Sequence, residues 1–143
     1  ARAGRDLATV LTPHPLEAAR LSDTGSHDVQ ADRLQAAQRL AEAMQCTVLL
    51  KGSGSIVATP GHAMSINPTG DARLGTAGSG DVLAGWIGGL WAAHAATASG
   101  HTAAQAAAWL HGAAVDHAPR SGPLRASRLI EAMVSARDAL QPT

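Results

Sequence analysis

The 143-residue chain has no Phe and no Tyr, and Trp86, Trp91 and Trp109 are its only large aromatic side chains. A core without phenyl rings must be built from Ala, Leu, Val and Ile. A surface that stacks nucleic-acid bases is not expected, because such surfaces use several exposed rings. No charge of one sign dominates: 11 Lys and Arg face 11 Asp and Glu, with no basic run. Neither a nucleic acid nor an anionic membrane is therefore an expected partner. The single Cys46 allows no internal disulfide and no cysteine metal cluster, which suits a reducing cytoplasm. It reads as a small buried residue next to a strand.

A spanning segment is not expected either. Residues 82–98 carry no formal charge and approach the length of a membrane helix. They are mostly Ala and Gly, which contribute little transfer energy, and they include His94 and Thr97. A buried helix is the better reading. The opening residues Ala1-Arg2-Ala3-Gly4-Arg5-Asp6 lack an initiator Met and a leader pattern, and read as the interior of a longer protein.

What is present is a globular composition, 45% hydrophobic and 15% charged. One domain of this length buries roughly two-thirds of its unfolded surface. Residues 7–11 form a short β-rich run stopped by Thr12-Pro13-His14-Pro15, where two prolines end strand and helix alike. A short helix follows through Glu17, Ala18, Ala19 and Leu21. Leu34, Ala37, Leu40, Ala41 and Met44 recur at helical spacing, predicting one amphipathic helix over residues 28–44. Thr47-Val48-Leu49-Leu50 is continuously apolar, as in a parallel strand covered on both faces. Residues 55–59 and 62–66 flank Pro60-Gly61 and predict a hairpin. Three helices are expected over residues 81–97, 103–117 and 127–140. Gly100 would close the first, and Thr102-Ala103-Ala104-Gln105 would cap the second. This order indicates α/β layering.

The most informative segment is Gly75-Thr76-Ala77-Gly78-Ser79-Gly80-Asp81, preceded by Asn67-Pro68-Thr69-Gly70-Asp71. Glycines let bare backbone approach a ligand. They lead straight into a helix, whose unpaired N–H groups and positive dipole end form an anion site. Asp81 in the first turn is either a helix cap or a general base beside that site. The P-loop pattern is absent because Lys51 follows Leu50, and the dinucleotide spacing fails because the glycine after Gly80 is Gly85.

Gly78-Ser79-Gly80-Asp81-Val82-Leu83-Ala84-Gly85 resembles the G-x-G-D signature of the ribokinase-like superfamily. Thr12-Pro13-His14-Pro15-Leu16-Glu17 and Leu50-Lys51-Gly52-Ser53-Gly54-Ser55 are similar to two further segments of the NAD(P)H-hydrate dehydratases related to the C-terminal domain of YjeF proteins. The likeness runs over residues 11–140. It departs at Leu16, where the family has Gly, at Ser55 for Thr, and at Asp71, Gly75 and Ala77 for Asn, Ala and Gly. Asp71 adds negative charge near an expected phosphate, for Arg73 or a metal to offset.

The resemblance implies a three-layer α/β/α ribokinase-like fold, of which residues 1–143 are the C-terminal nucleotide-binding and catalytic portion. It implies that Lys51, Gly52, Ser53, Gly54 and Ser55 hold an adenine nucleotide, ADP or ATP. Gly78 and Gly80 would lie at the phosphates, Asp81 would be the base, and His14 with Asp81 would contact NAD(P)H hydrate. Glu17 would help to organise Mg²⁺. The implied protein is a cytoplasmic lyase of nicotinamide nucleotide repair, expected as a homo-oligomer. A small-molecule kinase of the same superfamily, or a non-catalytic nucleotide-binding module, would use the same glycine turn; His14 favours the dehydratase. His94, His101, His111 and His117 have no acidic partners at metal-binding spacing and are read as packing residues. Trp86 and Trp91 are read as core or subunit contacts.

Overall fold

A computed structural model describes residues 8–120, 122 and 124–140. The opening residues and Leu7 lie outside them. The described strands are β1 (Val10–Leu11), β2 (Thr47–Leu50), β3 (Ile56–Ala58) and β4 (Ser65–Ile66). The helices are α1 (Pro15–Ser22), α2 (Ser26–Ala31), α3 (Arg33–Met44), α4 (Ser79–Ala93), α5 (Gly100–Ala113) and α6 (Ala126–Asp138).

The strands lie side by side in chain order. Only β1 and β2 are parallel; β2–β3 and β3–β4 are antiparallel. The sheet is thus mixed, and the parallel expectation for β2 holds on one edge only. Its double coverage does hold. Val48, Leu50, Ile56 and Ala58 pack on α1, α2 and α3 through Ala18, Val29, Ala37 and Leu40. Leu49 and Val57 face the other way, onto Leu83 and Ile87 of α4 and Ala103, Ala104 and Ala107 of α5. The register explains this, since Leu49 pairs with Val57 and Val48 with Ala58, and cross-strand partners share a face. Helices on both faces of the sheet make a three-layer α/β/α arrangement.

Several expected boundaries move, each for a local reason. The helix expected over residues 28–44 is two helices. Asp32 leaves helical geometry and its carboxylate accepts the Gln35 N–H at 2.9 Å, capping α3 instead of continuing α2. The cap of α5 is Ser99, whose Oγ accepts the Thr102 N–H, so Thr102 lies within the helix. Gly100 therefore opens α5 and does not close α4. A Cβ there would meet Val10 Cγ2 at 2.9 Å and the Trp91 ring at 3.1 Å, so this position requires glycine. The helix expected to run to residue 117 becomes 3-10 at Ala114–His117.

The helix α4 is buried on one face only. Leu83 and Ile87 are in the core with Trp86, Leu90 and Trp91 against it, while Ala84, Gly85, Gly88 and Gly89 are exposed. No described helix is long and apolar enough to cross a membrane. Cys46 is buried in the layer below β2.

Candidate functional site

Where the two helical layers meet the open end of the sheet there is a cavity of about 1040 Å³. Four segments converge on it over one face of α5: the start of α1, the loop after β2, the long connection from β4, and the first turns of α4.

The first segment is fixed by a reciprocal cap. His14 is the N-cap of α1, and its Nδ1 accepts the Glu17 N–H at 3.2 Å. The Glu17 carboxylate in turn accepts the His14 N–H at 2.7 Å. Pro15 occupies the first helical position, where a missing N–H costs nothing. An accepting Nδ1 puts the proton of the neutral ring on Nε2. That Nε2–H stands 3.4 Å from Glu17 Oε1, and His14 lines the cavity.

Lys51 follows β2, and its N–H donates to the Pro13 carbonyl at 2.8 Å, tying the second segment to the first. Its ammonium lies 3.7 Å from Glu17 Oε2. The Glu17 carboxyl is held below its ordinary value, chiefly by the His14 N–H and further by Lys51. Gly52, Ser53, Gly54 and Ser55 follow along the cavity wall.

The third segment is docked on α5. The Asn67 amide donates to the Ala108 and Thr69 carbonyls, and Thr69 Oγ1 donates to the Trp109 carbonyl at 2.9 Å. Gly112 permits this approach, because a Cβ there would overlap Thr69. Asp71 lines the cavity, and its charge is met as the sequence required. The Arg73 guanidinium donates through Nε to both carboxylate oxygens and through Nη2 at 2.8 Å. Those bonds hold the Asp71 carboxyl below its usual range and raise Arg73.

The glycine turn completes the site. Gly78 is the N-cap of α4 at φ +82°, a conformation that favours glycine. The Gly80 and Asp81 N–H groups have no acceptor among the described residues, so α4 presents orphan donors here. Gly80 lines the cavity, and a Cβ on it would stand 2.9 Å from Lys51 Nζ. Amide donors and an ammonium therefore converge, a combination suited to phosphate.

The expected residues are not all placed alike. His14, Lys51, Gly52, Ser53, Gly54, Ser55 and Gly80 share the cavity wall. Gly78 sits just behind the turn. Glu17 stands beside Lys51 but does not line the cavity. Asp81 is exposed at the third position of α4, outside the cavity wall, and its carboxylate has no ion pair or hydrogen bond to another described residue.

Sequence reasoning left His111 among packing residues, yet it lines the cavity. Its Nε2 is 3.0 Å from Ser79 Oγ and 3.1 Å from the Ser79 carbonyl. A carbonyl can only accept, so Nε2 carries the proton. Burial pushes the His111 pKa down; the Ser79 carbonyl opposes this and Lys51 adds to it. The available cue was its place one turn after Ala107 and Ala108 on an otherwise apolar helix face. His101, by contrast, is structural: it is buried, bonded to Thr59 Oγ1 at 2.9 Å and stacked on His62.

Comparison with known proteins gives this geometry its context. Residues 2–134 match the family model described as NAD(P)H-hydrate dehydratase. The chain is 47% identical over 120 residues to the ADP-dependent (S)-NAD(P)H-hydrate dehydratase of Neisseria meningitidis, covering 84% of this chain and 40% of that protein. Among solved structures, the ADP/ATP-dependent NAD(P)H-hydrate dehydratase of Bacillus subtilis, co-crystallised with ATP/Mg²⁺, superposes with a TM-score of 0.85 at 28% identity. The match covers 94% of this chain and 48% of that one. A ribokinase-like superfamily protein of Enterococcus faecalis gives a TM-score of 0.74 at 26% identity, over 93% of this chain and 45% of its own. The fold is the ribokinase-like one, and the chain spans less than half the length of these relatives. A family match over nearly all its residues settles the kinship: the chain belongs to the NAD(P)H-hydrate dehydratase family.

Proposed function

We propose that this chain is the nucleotide-binding and catalytic portion of an enzyme that dehydrates NAD(P)H hydrate back to NAD(P)H at the expense of ADP or ATP. One observation carries the reading: Lys51 Nζ is set against the Gly80 backbone, where α4 presents unpaired amides to the cavity. Such a cradle neutralises phosphate oxygens with fixed charge and dipoles, requiring no reorganisation during transfer. The relatives' printed activities and the ATP/Mg²⁺ of the Bacillus subtilis structure support the same reading.

Hydroxide is a poor leaving group, so the hydroxyl of the hydrated nicotinamide ring must be converted into a better one. Asp81 takes the hydroxyl proton while the hydroxyl oxygen forms a bond to the terminal phosphorus, and the nucleotide leaves one phosphate shorter. Lys51 and the Gly80 and Asp81 amides hold the charge on the phosphoryl oxygens. Phosphate then departs with help from the ring nitrogen's lone pair, and a proton leaves the neighbouring carbon to restore NAD(P)H. His14, which lines the cavity and keeps its Nε2–H 3.4 Å from Glu17 Oε1, orients the hydrated ring. The exposure of Asp81 suits a base that meets a substrate arriving from solvent, outside the nucleotide cavity.

Magnesium enters with the nucleotide. It commonly takes one or two carboxylates together with substrate phosphates. Among the described residues no three His, Cys, Asp or Glu side chains form a cage. Glu17 would offer Oε1, which stands 3.4 Å from His14 Nε2, its Oε2 being engaged by the His14 N–H. This donor set fits an ion shared with phosphates, where it would neutralise charge on their oxygens. The same reading puts the protein in the cytoplasm with the NAD(P)H pool. It extends to a homo-oligomer, to be checked by sedimentation equilibrium.

The test is to incubate the full-length protein with NADH hydrate and follow the absorbance of restored NADH. Recovery with ADP or ATP, and none without nucleotide, is expected. Absence of nucleotide-dependent recovery contradicts the proposal.

A further inference from the structure

Residues 52–55 have no regular secondary structure, yet they form one wall of the cavity. Their course is set from the far side by Arg33, the first residue of α3. Its Nη1 donates to the Ser53 carbonyl at 2.6 Å. Its Nη2 donates to the Gly54 carbonyl at 3.1 Å and reaches the Leu50 carbonyl at 3.5 Å. Gly52, at φ +152°, leaves room for this: a Cβ there would stand 2.6 Å from Nη2 and 2.9 Å from Cζ. The guanidinium occupies the space that a side chain at position 52 would need.

In a trans peptide the carbonyl and the following N–H point in opposite directions. A Ser53 carbonyl turned toward Arg33 therefore turns the Gly54 N–H away from it. The Gly54 carbonyl does the same for the Ser55 N–H. Gly54 and Ser55 both line the cavity, Arg33 does not, and neither N–H bonds to another described residue. The Leu50 peptide obeys the same geometry, but its outward N–H, that of Lys51, is taken by the Pro13 carbonyl. Successive amides aimed to one side make an anion-binding concavity.

We propose that Arg33 is a positioning residue for the nucleotide: by holding the Ser53 and Gly54 carbonyls it aims the Gly54 and Ser55 amides at phosphate oxygens in the cavity. This rests on the reading of the cavity as a nucleotide site. A planar fork holds both carbonyls at once, whereas a lysine ammonium is a single point charge on a flexible stem. Arg33→Lys therefore weakens the clamp while keeping the charge.

The experiment compares full-length wild type, Arg33→Lys and Arg33→Ala. It measures ADP and ATP affinity by calorimetry, KM for nucleotide and for NADH hydrate, kcat, and the melting temperature without ligand. Wild type binds nucleotide. Arg33→Ala weakens that binding about tenfold or more, Arg33→Lys falls between, and the hydrate KM and kcat stay near wild type. If Arg33→Ala does not fold, Arg33→Lys alone carries the comparison. Unchanged nucleotide affinity in the folded variants overturns the inference, as does a loss confined to kcat or spread equally over both KM values. Failure of wild type to bind either nucleotide overturns the nucleotide reading itself, and the clamp's role with it.

Discussion

The ammonium of Lys51 rests on the backbone of Gly80, so close that a Cβ at position 80 would lie 2.9 Å from Nζ. Two segments 29 residues apart in sequence thus meet through the absence of a side chain, and the charge of one is set against the helix end of the other. The contact predicts a separation of stability from binding. In Gly80→Ala the obstructing atom is the tip of a flexible side chain, and alanine is the better helix former by roughly 0.5–1 kcal/mol. The melting temperature is therefore expected to hold or rise slightly, while affinity for ADP falls. Thermal denaturation paired with calorimetric titration checks both.

The His14–Glu17 cap gives a second prediction. Removing the accepting ring in His14→Ala costs about 1 kcal/mol of stability, as at other N-caps. Urea denaturation at neutral pH measures it. Because the Glu17 carboxyl is held below 4.5 in the folded state, its contribution is present above 4.5 and is lost as pH falls through the folded value. Glu17→Gln should flatten this part of the acid limb in melting temperature; an unchanged limb would remove Glu17 from it.

His111 acts on pH with a different origin. Burial lowers its folded-state pKa from 6.5, so the unfolded chain takes up the proton first. Stability then rises with pH across the interval between the two values and declines as pH falls below 6.5. His111→Gln keeps a donor for the Ser79 carbonyl without a titrating ring. The decline should be smaller in that variant but still present, since His101 is also lowered by burial and by His62. Melting curves between pH 5 and 8 distinguish the two proteins.

Gly112→Ala should be the most disruptive of these single changes. The added methyl meets the backbone of Thr69, which cannot rotate away. Overpacking of this kind costs typically 1–3 kcal/mol, and here it pushes residues 67–71 off α5. Both the melting temperature and nucleotide affinity should fall, in contrast to Gly80→Ala.

The layered fold was legible because burial on two faces leaves a sequence trace: Val48, Leu49 and Leu50 carry no polar alternation, and all three are fully buried. The cavity was legible through residues that serve local backbone geometry. Gly78 stands where φ is positive, and Pro15 and Glu17 stand where a helix start needs them. What escaped the sequence depends on contacts distant along the chain or on competition between neighbours. Asp32 splits a periodic run because its side chain bonds backbone more readily than it continues a helix. The cap of α5 is Ser99 and not the expected Thr102, with Gly100 packed against Val10 and Trp91. His111 and Arg33 look like an ordinary core histidine and an ordinary surface arginine. Their contacts, with Ser79 and with the carbonyls of Ser53 and Gly54, set them apart.

In the proposed mechanism Asp81 separates binding from chemistry, because it stands on the first turn of α4 outside the cavity. The decisive measurement sets full-length wild type beside Asp81→Asn, with ADP affinity by calorimetry and nucleotide-dependent recovery of NADH from NADH hydrate read on the same preparations. Near-equal ADP affinity is expected, with recovery in wild type and essentially none in the variant. Equal recovery in Asp81→Asn would reduce Asp81 to part of the helix terminus and contradict the mechanism.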